Sequence, residues 1–511
     1  MRITNKIMQN NSLYNINSNK VLQDELTTQM STQKKIARPS DDPVVAIRSL
    51  RLRTNLSNVT QYYEKNVPDA DNWLNLTESA LNTVSSVLTD MRTNCVKGAN
   101  GDITVDDRKI ILENLNALKK EVYSTGDTDY AGRSIFTGYR TDMALTITEA
   151  KNNTMSITEQ LTNEALSDIT YVEAGDLTSL NEGNYSSIAT DEYGVSATTV
   201  HRIRLAYNDI DTNGTVSLKV ATGYDADGNT TYDDISTNIT TVSQASDPNP
   251  YQTVLSDDDA VVFVPETGEV LLGANVYATI SAYDSDTEIA VTYDKTQWAV
   301  GDLNPVHYFA CTETSSGIAY NQDYMSNRSE NDDVRQIMEY DVGFNQTLRV
   351  NTTADECFTH DIGRDIDELT DLVEELQDIN ALVDKLNEMI EDPDYEADVD
   401  FLNEKLDAAM KAQTYINDKV QKGFEKCIDS MDDYLDQFNL AITQVGSRSA
   451  RLKLIENRLM NQQTSFQELV SDNDEADITQ LAVELSSAEL SYQAALAATG
   501  KVVQTTLLNF L

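Results

Sequence analysis

The residues best suited to chemistry are short clusters of acids in the middle of the chain. The run Asp209-Ile-Asp-Thr-Asn213-Gly214 has the spacing of the first half of a calcium-binding loop, and Asp225-Ala-Asp-Gly-Asn229 is a similar fragment. The twelfth loop position is Val220, where a bidentate Glu is needed to complete the ligand set. Because Asn and Gly also favour tight hairpin turns, the sequence predicts turns here and leaves calcium as the alternative.

A second candidate is a zinc site built from His307, Cys311, Cys357 and His360. Two histidines and two cysteines can hold zinc, but neither half has the spacing of a zinc finger. The 4 Cys of the chain lie far apart without a CxxC pair, so they do not resemble a disulfide framework. We therefore predict no metal and no cofactor.

Acidic runs could also supply catalytic carboxylates, but runs of Asp are more often solvated charge. The 3 His are scattered and form no HExxH motif, and the chain has no Gly-rich phosphate loop. No nucleophile–His–acid triad can be proposed. The sequence therefore predicts that the protein is not an enzyme. The acidic runs in question are residues 257–259, 332–333 and 432–433.

The formal net charge of -46 opposes binding to nucleic acid, because phosphates would be repelled over most of the surface. The charge is concentrated in residues 361–436, which hold 24 Asp+Glu against 7 Lys+Arg. No stretch of about 18 apolar residues predicts a membrane span. The first 20 residues lack an apolar segment, so we also predict no cleaved secretory signal.

Hydrophobic periodicity divides the chain into helical ends and a β-rich middle. Apolar residues recur at three- and four-residue steps in 73–91, 369–390, 424–459 and 478–502, which is typical of amphipathic helices and coiled coils. The middle has short β-branched runs separated by turns. We predict an α+β multidomain chain, a rod of N- and C-terminal long helices packed as a coiled coil or bundle, with an inserted antiparallel β domain.

The predicted domains follow from these changes in period. The first 35 residues have only a thin apolar stripe, so we expect them to become ordered on assembly. The boundaries are 1–40 for an N-terminal assembly helix that pairs with 475–511, 41–140 for an N-terminal helical rod, 141–345 for a β-rich outer domain, 346–474 for a C-terminal helical rod, and 475–511 for a C-terminal assembly helix.

A corner is predicted between the first helix and the second. Pro39 is expected to end the first helix, because proline lacks the N–H that a helix interior needs. Asp42 is placed to accept hydrogen bonds as the N-cap of the next helix, with Pro43 at its first position. Asp41, Asp42 and Pro43 would then fix the direction of the chain at this point.

Several motifs together resemble a known family. Met1-Arg-Ile-Thr, Lys35-Ile-Ala-Arg-Pro-Ser-Asp-Asp-Pro-Val-Val-Ala46 and Gly132-Arg-Ser-Ile-Phe-Thr-Gly138 resemble the flagellar hook-associated protein 3 family, the hook–filament junction proteins of the flagellin-like group. The stretches Asp477-Ile-Thr-Gln-Leu-Ala-Val-Glu-Leu and Leu490-Ser-Tyr-Gln-Ala-Ala-Leu are similar to the last helix that this family shares with flagellin. The resemblance covers about the first 140 and last 100 residues and does not extend to the middle. The chain departs from the family in its greater length and in Ser134, where an aromatic residue is common.

The resemblance implies a structural role in the bacterial flagellum. Members of the family form a homo-oligomeric ring between hook-associated protein 1 and flagellin, and seed the filament. They are exported unfolded by the flagellar type III route, without a cleaved signal peptide, and a cytoplasmic chaperone holds their C-terminal region. The implied location is the extracellular flagellum, with no nucleic acid and no membrane as partner.

Marginal helices at both ends cannot bury enough surface by themselves, so we expect their apolar residues to contact neighbouring subunits. The predicted interface and corner residues are Ile3, Ile7, Leu13, Pro39, Asp41, Asp42, Pro43, Ile478, Leu481, Leu485, Tyr492, Leu507 and Phe510. The alternative for each apolar position is the helical core of the subunit itself.

Two other functions remain open at this point. The chain could be flagellin itself, although the run Pro39-Ser-Asp-Asp-Pro43 favours the junction protein. It could also be a surface adhesin, with the β region as its binding module. That reading requires an exposed aromatic cluster, although Tyr is also a common strand residue. The candidates are Tyr224, Tyr232, Tyr251, Tyr277, Tyr283 and Tyr293.

Overall fold

The structure, a computed structural model, has long helices at both ends of the chain and a sheet-rich middle. This confirms the predicted fold class. None of the described helices combines the length and the apolar character that a membrane span requires. The described residues are 5–212, 214, 216–224, 230–235, 239–284, 287–322 and 336–507.

The helices follow the predicted amphipathic segments closely. A π-helical turn at Tyr62–Asn66 joins the second helix to the third. Its cause is Pro68, which has no N–H to donate to the carbonyl of the preceding turn. The helices are α1 (Asn5–Thr32), α2 (Pro43–Gln61), α3 (Val67–Gly98), α4 (Val105–Gly126), α5 (Pro250–Ser256), α6 (Ala274–Ser281), α7 (Asp361–Glu391), α8 (Val399–Asp474) and α9 (Ile478–Leu507).

Two details of the helical prediction are wrong. Ile390, which the sequence predicts as the last member of the apolar stripe 369–390, is only partly buried, and Met389 is the last buried residue of α7. The helix keeps a period near 3.6 and therefore drifts from a strict heptad. The acidic run 471–475, which the sequence predicts to be a turn, lies mostly within α8, since that helix continues to Asp474.

The strands are short apart from a few long ones in the centre. They are β1 (Asp129–Tyr130), β2 (Arg133–Ser134), β3 (Lys151–Thr162), β4 (Leu166–Glu173), β5 (Ser196–Arg204), β6 (Ser217–Tyr224), β7 (Thr230–Asp234), β8 (Ile239–Thr241), β9 (Val261–Val264), β10 (Glu269–Leu272), β11 (Glu288–Trp298), β12 (Ala310–Glu313), β13 (Ile318–Tyr320), β14 (Glu339–Gly343) and β15 (Gln346–Arg349).

Two larger sheets form in the middle of the chain. One has the strand order β4-β5-β10-β9-β8, and the other has the order β13-β12-β3-β11-β6-β7. The pairs are antiparallel except for β8 and β9, which are parallel. Alternate residues of the two sheets meet in one hydrophobic core, as expected for sheets that pack face to face. Its fully buried members include Ile157, Ile203, Phe263, Val270, Ile289 and Val291.

The described chain separates into two compact units. The first contains residues 1–71, 340–348 and 450–511, and is called the terminal unit below. The second contains residues 72–339 and 349–449, which include both larger sheets, most of α3, the helices α4 to α7 and the first part of α8.

The motif at 132–138 forms a turn that places a buried aromatic side chain in the second unit. Gly132 and Gly138 have φ angles of 76° and 62°, which only glycine adopts without strain. Between them, Phe136 is fully buried and meets Phe358 edge to face, with ring centroids 4.8 Å apart. The ring of Phe358 in turn contacts Phe438 of α8 at 5.5 Å. The two glycines thus aim an aromatic side chain into the helical core.

One of the two larger sheets is joined to α7 by two arginines on β5. Arg202, only 2% exposed, pairs with Glu269 of β10 and donates from Nη2 to both carboxylate oxygens of Glu368, at 2.6 and 2.7 Å. Arg204 donates from Nη1 to Asp365 at 2.6 Å and to Glu368 at 3.1 Å. Because these acids lie three residues apart on one face of α7, one helix surface serves both arginines.

This network changes the acidity of Glu368. Burial alone would raise its pKa, but the positive charges of Arg202, Lys426 and Arg204 outweigh burial and lower the pKa to about 2. A carboxyl whose pKa is lower in the folded chain than in the unfolded chain stabilises the fold at neutral pH. That contribution is complete above the ordinary pKa of 4.5 and is lost as the pH falls toward 2.

We predict that Glu368→Gln lowers the free energy of unfolding at pH 7 by about 2 kcal/mol, because two charged hydrogen bonds are lost. The deficit should shrink steadily between pH 4.5 and the acid limit of the folded state. Urea unfolding at several pH values measures it. Glu374→Gln, an exposed change on the same helix, is the matched control. A deficit that does not depend on pH would contradict the assigned charge state.

Candidate assembly surface

The C-terminal part of α1 packs against the N-terminal part of α9. Leu26 of α1 is buried against Leu481 and Ala488 of α9, with Met30 and Leu485 at the edge of the cluster. This small core lies in the last part of α1 and the first part of α9. Beyond this core, several large apolar side chains of both helices are exposed.

Backbone pairing closes the same junction. Gln33 has a φ of 58°, and its carbonyl accepts from the N–H of Ala476 at 3.0 Å. The N–H of Lys35 donates to the carbonyl of Asp474 at 2.8 Å. The first helix thus ends at Thr32, and not at Pro39 as predicted, because residues after it form a bridge with the short segment between α8 and α9.

Asp474, the last residue of α8, is the centre of the junction. Its Oδ2 accepts from the hydroxyl of Ser49 at 2.8 Å and from Nε of Arg53 at 2.9 Å. Asn473 donates from its side-chain amide to Oδ1 of Asp474 at 2.9 Å. The side chain of Asp474 is 10% exposed, so one nearly buried carboxylate ties α2 to the end of α8.

The contacts of Asp474 favour its ionised form. Burial acts to raise its pKa, but the hydrogen bonds from Ser49, Asn473 and Arg53 and the charge of Arg53 together lower the pKa below the ordinary value. The carboxylate therefore stabilises the junction at neutral pH and loses this effect in acid.

The predicted corner has the expected local geometry. Oδ1 of Asp42 accepts from the N–H groups of Val44 at 2.9 Å and Val45 at 3.2 Å, and Pro43 is the first residue of α2. These contacts confirm Asp42 as the N-cap. Oδ2 of Asp41 accepts from the N–H of Arg38 at 2.8 Å, so the two acids stabilise the two sides of the turn.

The predicted interface residues are not all placed alike. Leu481 and Leu485 face α1, so they serve the junction within the chain. Ile7, Leu13 and Ile478 are each about half exposed and stay candidates for contacts between subunits. Pro39, Asp41 and Pro43 are exposed, while Asp42 and Tyr492 are partly buried. Leu507 ends α9, its side chain is not described, and Ile3 and Phe510 lie outside the described residues.

Sequence reasoning missed other exposed apolar side chains of the terminal unit. The available signal was the presence of apolar residues on several faces of α9, because a single apolar stripe covers only one side of a helix. The exposed residues missed are Tyr14 on α1, Val44, Ile47 and Leu50 on α2, and Val483, Leu490 and Leu496 on α9.

The candidate zinc ligands lie in apolar surroundings. Nε2 of His307 is 3.0 Å from the carbonyl oxygen of Ala144, and burial lowers the pKa of His307 to about 4. His360 packs edge to face on Tyr207 and Tyr308, and burial lowers its pKa to about 3. In the parts of the chain that the structure describes, no group of three His, Cys, Asp or Glu side chains could hold a metal ion.

The calcium-like and acidic fragments have simple local surroundings where they are described. The N–H of Gly214 donates to the carbonyl of Asp211 at 3.3 Å, which is the geometry of a turn. Asp432 pairs with Arg92. Asn213, residues 225–229 and residues 332–333 lie outside the described residues.

We predict that Asp474→Asn destabilises the terminal unit by about 2 kcal/mol at pH 7, because the charged hydrogen bonds from Arg53 and Ser49 are weakened. Hydrogen exchange of the amides of α2 and of the end of α8 measures the local free energy of opening. Asp472→Asn, an exposed change two residues away, is the matched control. Equal protection in the two variants would show that Asp474 has no special role.

The N-cap gives a second prediction. Asp42→Ala should cost about 1 kcal/mol in α2, since two backbone N–H groups lose their acceptor, and Asp42→Ser should retain most of the stability. Hydrogen exchange of the first turn of α2 measures the effect. An unchanged exchange rate in Asp42→Ala would rule out the cap as a source of stability.

Comparison with known proteins finds similarity in the N-terminal region of the chain. Residues 3–141 match the bacterial flagellin N-terminal helical region. Flagellar hook-associated protein 3 of Salmonella typhimurium is 30% identical to this chain over 145 residues, which are 28% of this chain and 45% of that protein. Flagellin of Clostridium tyrobutyricum is 30% identical over 128 residues, 25% of this chain and 34% of that protein.

A solved structure of flagellar hook-associated protein 3 from Legionella pneumophila matches 82% of this chain and 97% of its own, with a TM-score of 0.31 and 11% identity. The chain spans less than half the length of the curated relatives it matches. Residues 3–141 are therefore similar to the bacterial flagellin N-terminal helical region, and over part of its length this chain is similar to flagellar hook-associated protein 3.

Proposed function

We propose that this chain is a structural subunit of the bacterial flagellum at the hook–filament junction, where it links hook-associated protein 1 to flagellin and seeds the filament. The observation that carries the proposal is the state of the terminal helices. They meet in a small core and leave large apolar side chains uncovered along the rest of α1 and α9. Such surfaces suit a subunit that is completed by its neighbours.

The proposed mechanism is ordering on assembly. Helices with a thin apolar stripe are marginal in water, and burial of one large apolar side chain contributes about 2 kcal/mol. Ile7, Leu13, Val21 and Leu490 are each at least half exposed, so contacts with neighbouring copies would supply what the isolated subunit lacks. The corner at 41–43 would fix where the terminal helices meet the next layer of the ring.

The domain division proposed from the sequence fits this mechanism. Residues 1–40 and 475–511 would form the assembly helices, 41–140 and 346–474 the helical rod, and 141–345 the outer domain. We also propose export by the flagellar type III route, with a cytoplasmic chaperone on the C-terminal region and an extracellular location. The relationship to hook-associated protein 3 over the N-terminal region supports these proposals.

Deletion of the gene tests the function directly. We expect hooks without filaments in electron micrographs, together with flagellin spilled into the medium, because the filament has no base on which to start. Normal filaments would overturn the junction role. Bare hooks without flagellin in the medium would make this chain the filament subunit.

Complementation tests the assembly surface. Leu13→Asp and Leu490→Asp place a charge on an exposed apolar position of each terminal helix, and we expect secretion of the subunit without filament formation. Val300→Asp, at an equally exposed position of the second unit, should restore filaments. Filaments of normal length with both terminal variants would contradict the proposed surface.

The second candidate function is flagellin, which the similarity to flagellin of Clostridium tyrobutyricum keeps open. The adhesin alternative has less support, because the described tyrosines proposed for it do not form an exposed cluster. Tyr293 is fully buried, and Tyr277 stacks on His201 with ring centroids 3.7 Å apart. Tyr232, Tyr251 and Tyr283 are partly buried, and the side chain of Tyr224 is not described.

A further inference from the structure

Two of the cysteines meet between α3 and α8. The Sγ atoms of Cys95 and Cys427 are 3.1 Å apart, although the residues are 332 positions apart in the sequence. Both side chains are buried, at 0% and 2% exposure. Cys311 and Cys357 are also buried, but in the described residues neither sulfur has another within hydrogen-bonding distance.

Flanking contacts hold the two thiols opposite each other. Three residues before Cys95, Arg92 makes a two-pronged ion pair with Asp432, at 2.6 and 2.9 Å. Three residues after it, Gly98 lies so close to the ring of Phe424 that any side chain at position 98 would overlap it. The helices are therefore fixed in register on both sides of the cysteine pair, and the juxtaposition follows from their packing.

We propose that Cys95 and Cys427 are a disulfide site, which links α3 covalently to α8 when the chain meets a low-molecular-weight disulfide as oxidant. A disulfide bond is about 2.0 Å long, so the sulfurs need to approach by only about 1 Å. Rotation of the two cysteine side chains is the simplest movement that would bring the sulfurs together.

The reaction proceeds by two thiol–disulfide exchanges. The thiolate of one cysteine attacks a sulfur of the oxidant, breaks its S–S bond and releases one thiolate, which takes up a proton. The thiolate of the second cysteine then attacks the protein sulfur of the mixed disulfide and releases the second thiol. Two protein thiols are oxidised to one disulfide, and one molecule of oxidant is reduced to two thiols.

The surroundings determine when the bond can form. The hydrogen bond with Cys95 and burial raise the pKa of the Cys427 thiol, so the reactive thiolate is scarce while the helices are docked. Oxidation is therefore fastest while the helices are docking or locally open. Once formed, the bond is shielded from reductants by the same packing, which makes it a structural link and not a rapid switch.

The test uses the full chain refolded from denaturant in a glutathione redox buffer, or in a reducing buffer as reference. Each sample is then unfolded and its free thiols are labelled with a polymer-linked maleimide, which shifts the band on a gel once for each thiol. We expect four labels after reduction and two after oxidation, with the Cys95–Cys427 peptide pair identified by mass spectrometry. Four labels in both samples, or a pair that involves Cys311 or Cys357, would overturn the proposal.

Variants provide the control. Cys95→Ser and Cys427→Ser should each keep three labels in both buffers, while Cys357→Ser should change from three to one. Oxidation should raise the urea midpoint of the parent chain by about 1 M, and should leave that of Cys95→Ser unchanged. Equal midpoints for the oxidised and reduced parent would show that the pair places no constraint on unfolding. The outcome does not depend on the flagellar role.

Discussion

The terminal unit depends on a single nearly buried carboxylate. Asp474 accepts hydrogen bonds from Ser49 and Arg53 through its side chain, and from Lys35 through its carbonyl oxygen. Removal of a charge from water is costly, so the site is stable only while these donors stay in place. The positions of α2, of the end of α8 and of the chain after α1 are thereby coupled. This coupling also helps to fix the alignment of α1 and α9, so their small apolar core has to contribute little to it.

A second charged site fastens the sheets to the helices. The chain has 38 Lys+Arg against 84 Asp+Glu, so cations are in short supply. Arg202 and Arg204 point to one face because residues two apart on a strand share a side. Both contact the acids of α7. In the opposite direction, Arg364 of α7 donates to the carbonyl of Leu205 at 3.2 Å. The connection is therefore polar and directional, in contrast to the apolar core between the two sheets.

Features that depend on residues close together in the sequence were predicted better than features that depend on residues far apart. Asp42 and Pro43 could be identified because a cap involves only neighbours in sequence. The helices and the inserted sheets followed from periodicity. Asp474 and the pair of Cys95 and Cys427 could not be found, since their partners are hundreds of residues away and no local pattern marks them. The predicted end of α1 was wrong because a backbone bridge to the segment between α8 and α9, and not Pro39, ends the helix.

The bridge between Lys34 and Glu475 has a consequence for the order of folding. Almost the whole chain must be synthesised before α1 can find α9, and contacts of such high sequence separation form late. During that delay α1 has no partner. A more apolar helix would associate readily with other chains in the interval, whereas the many Asn, Gln, Ser and Thr residues of α1 separate its apolar side chains from one another. The polarity that makes α1 a weak helix thus also limits its association with other chains before α9 has been synthesised.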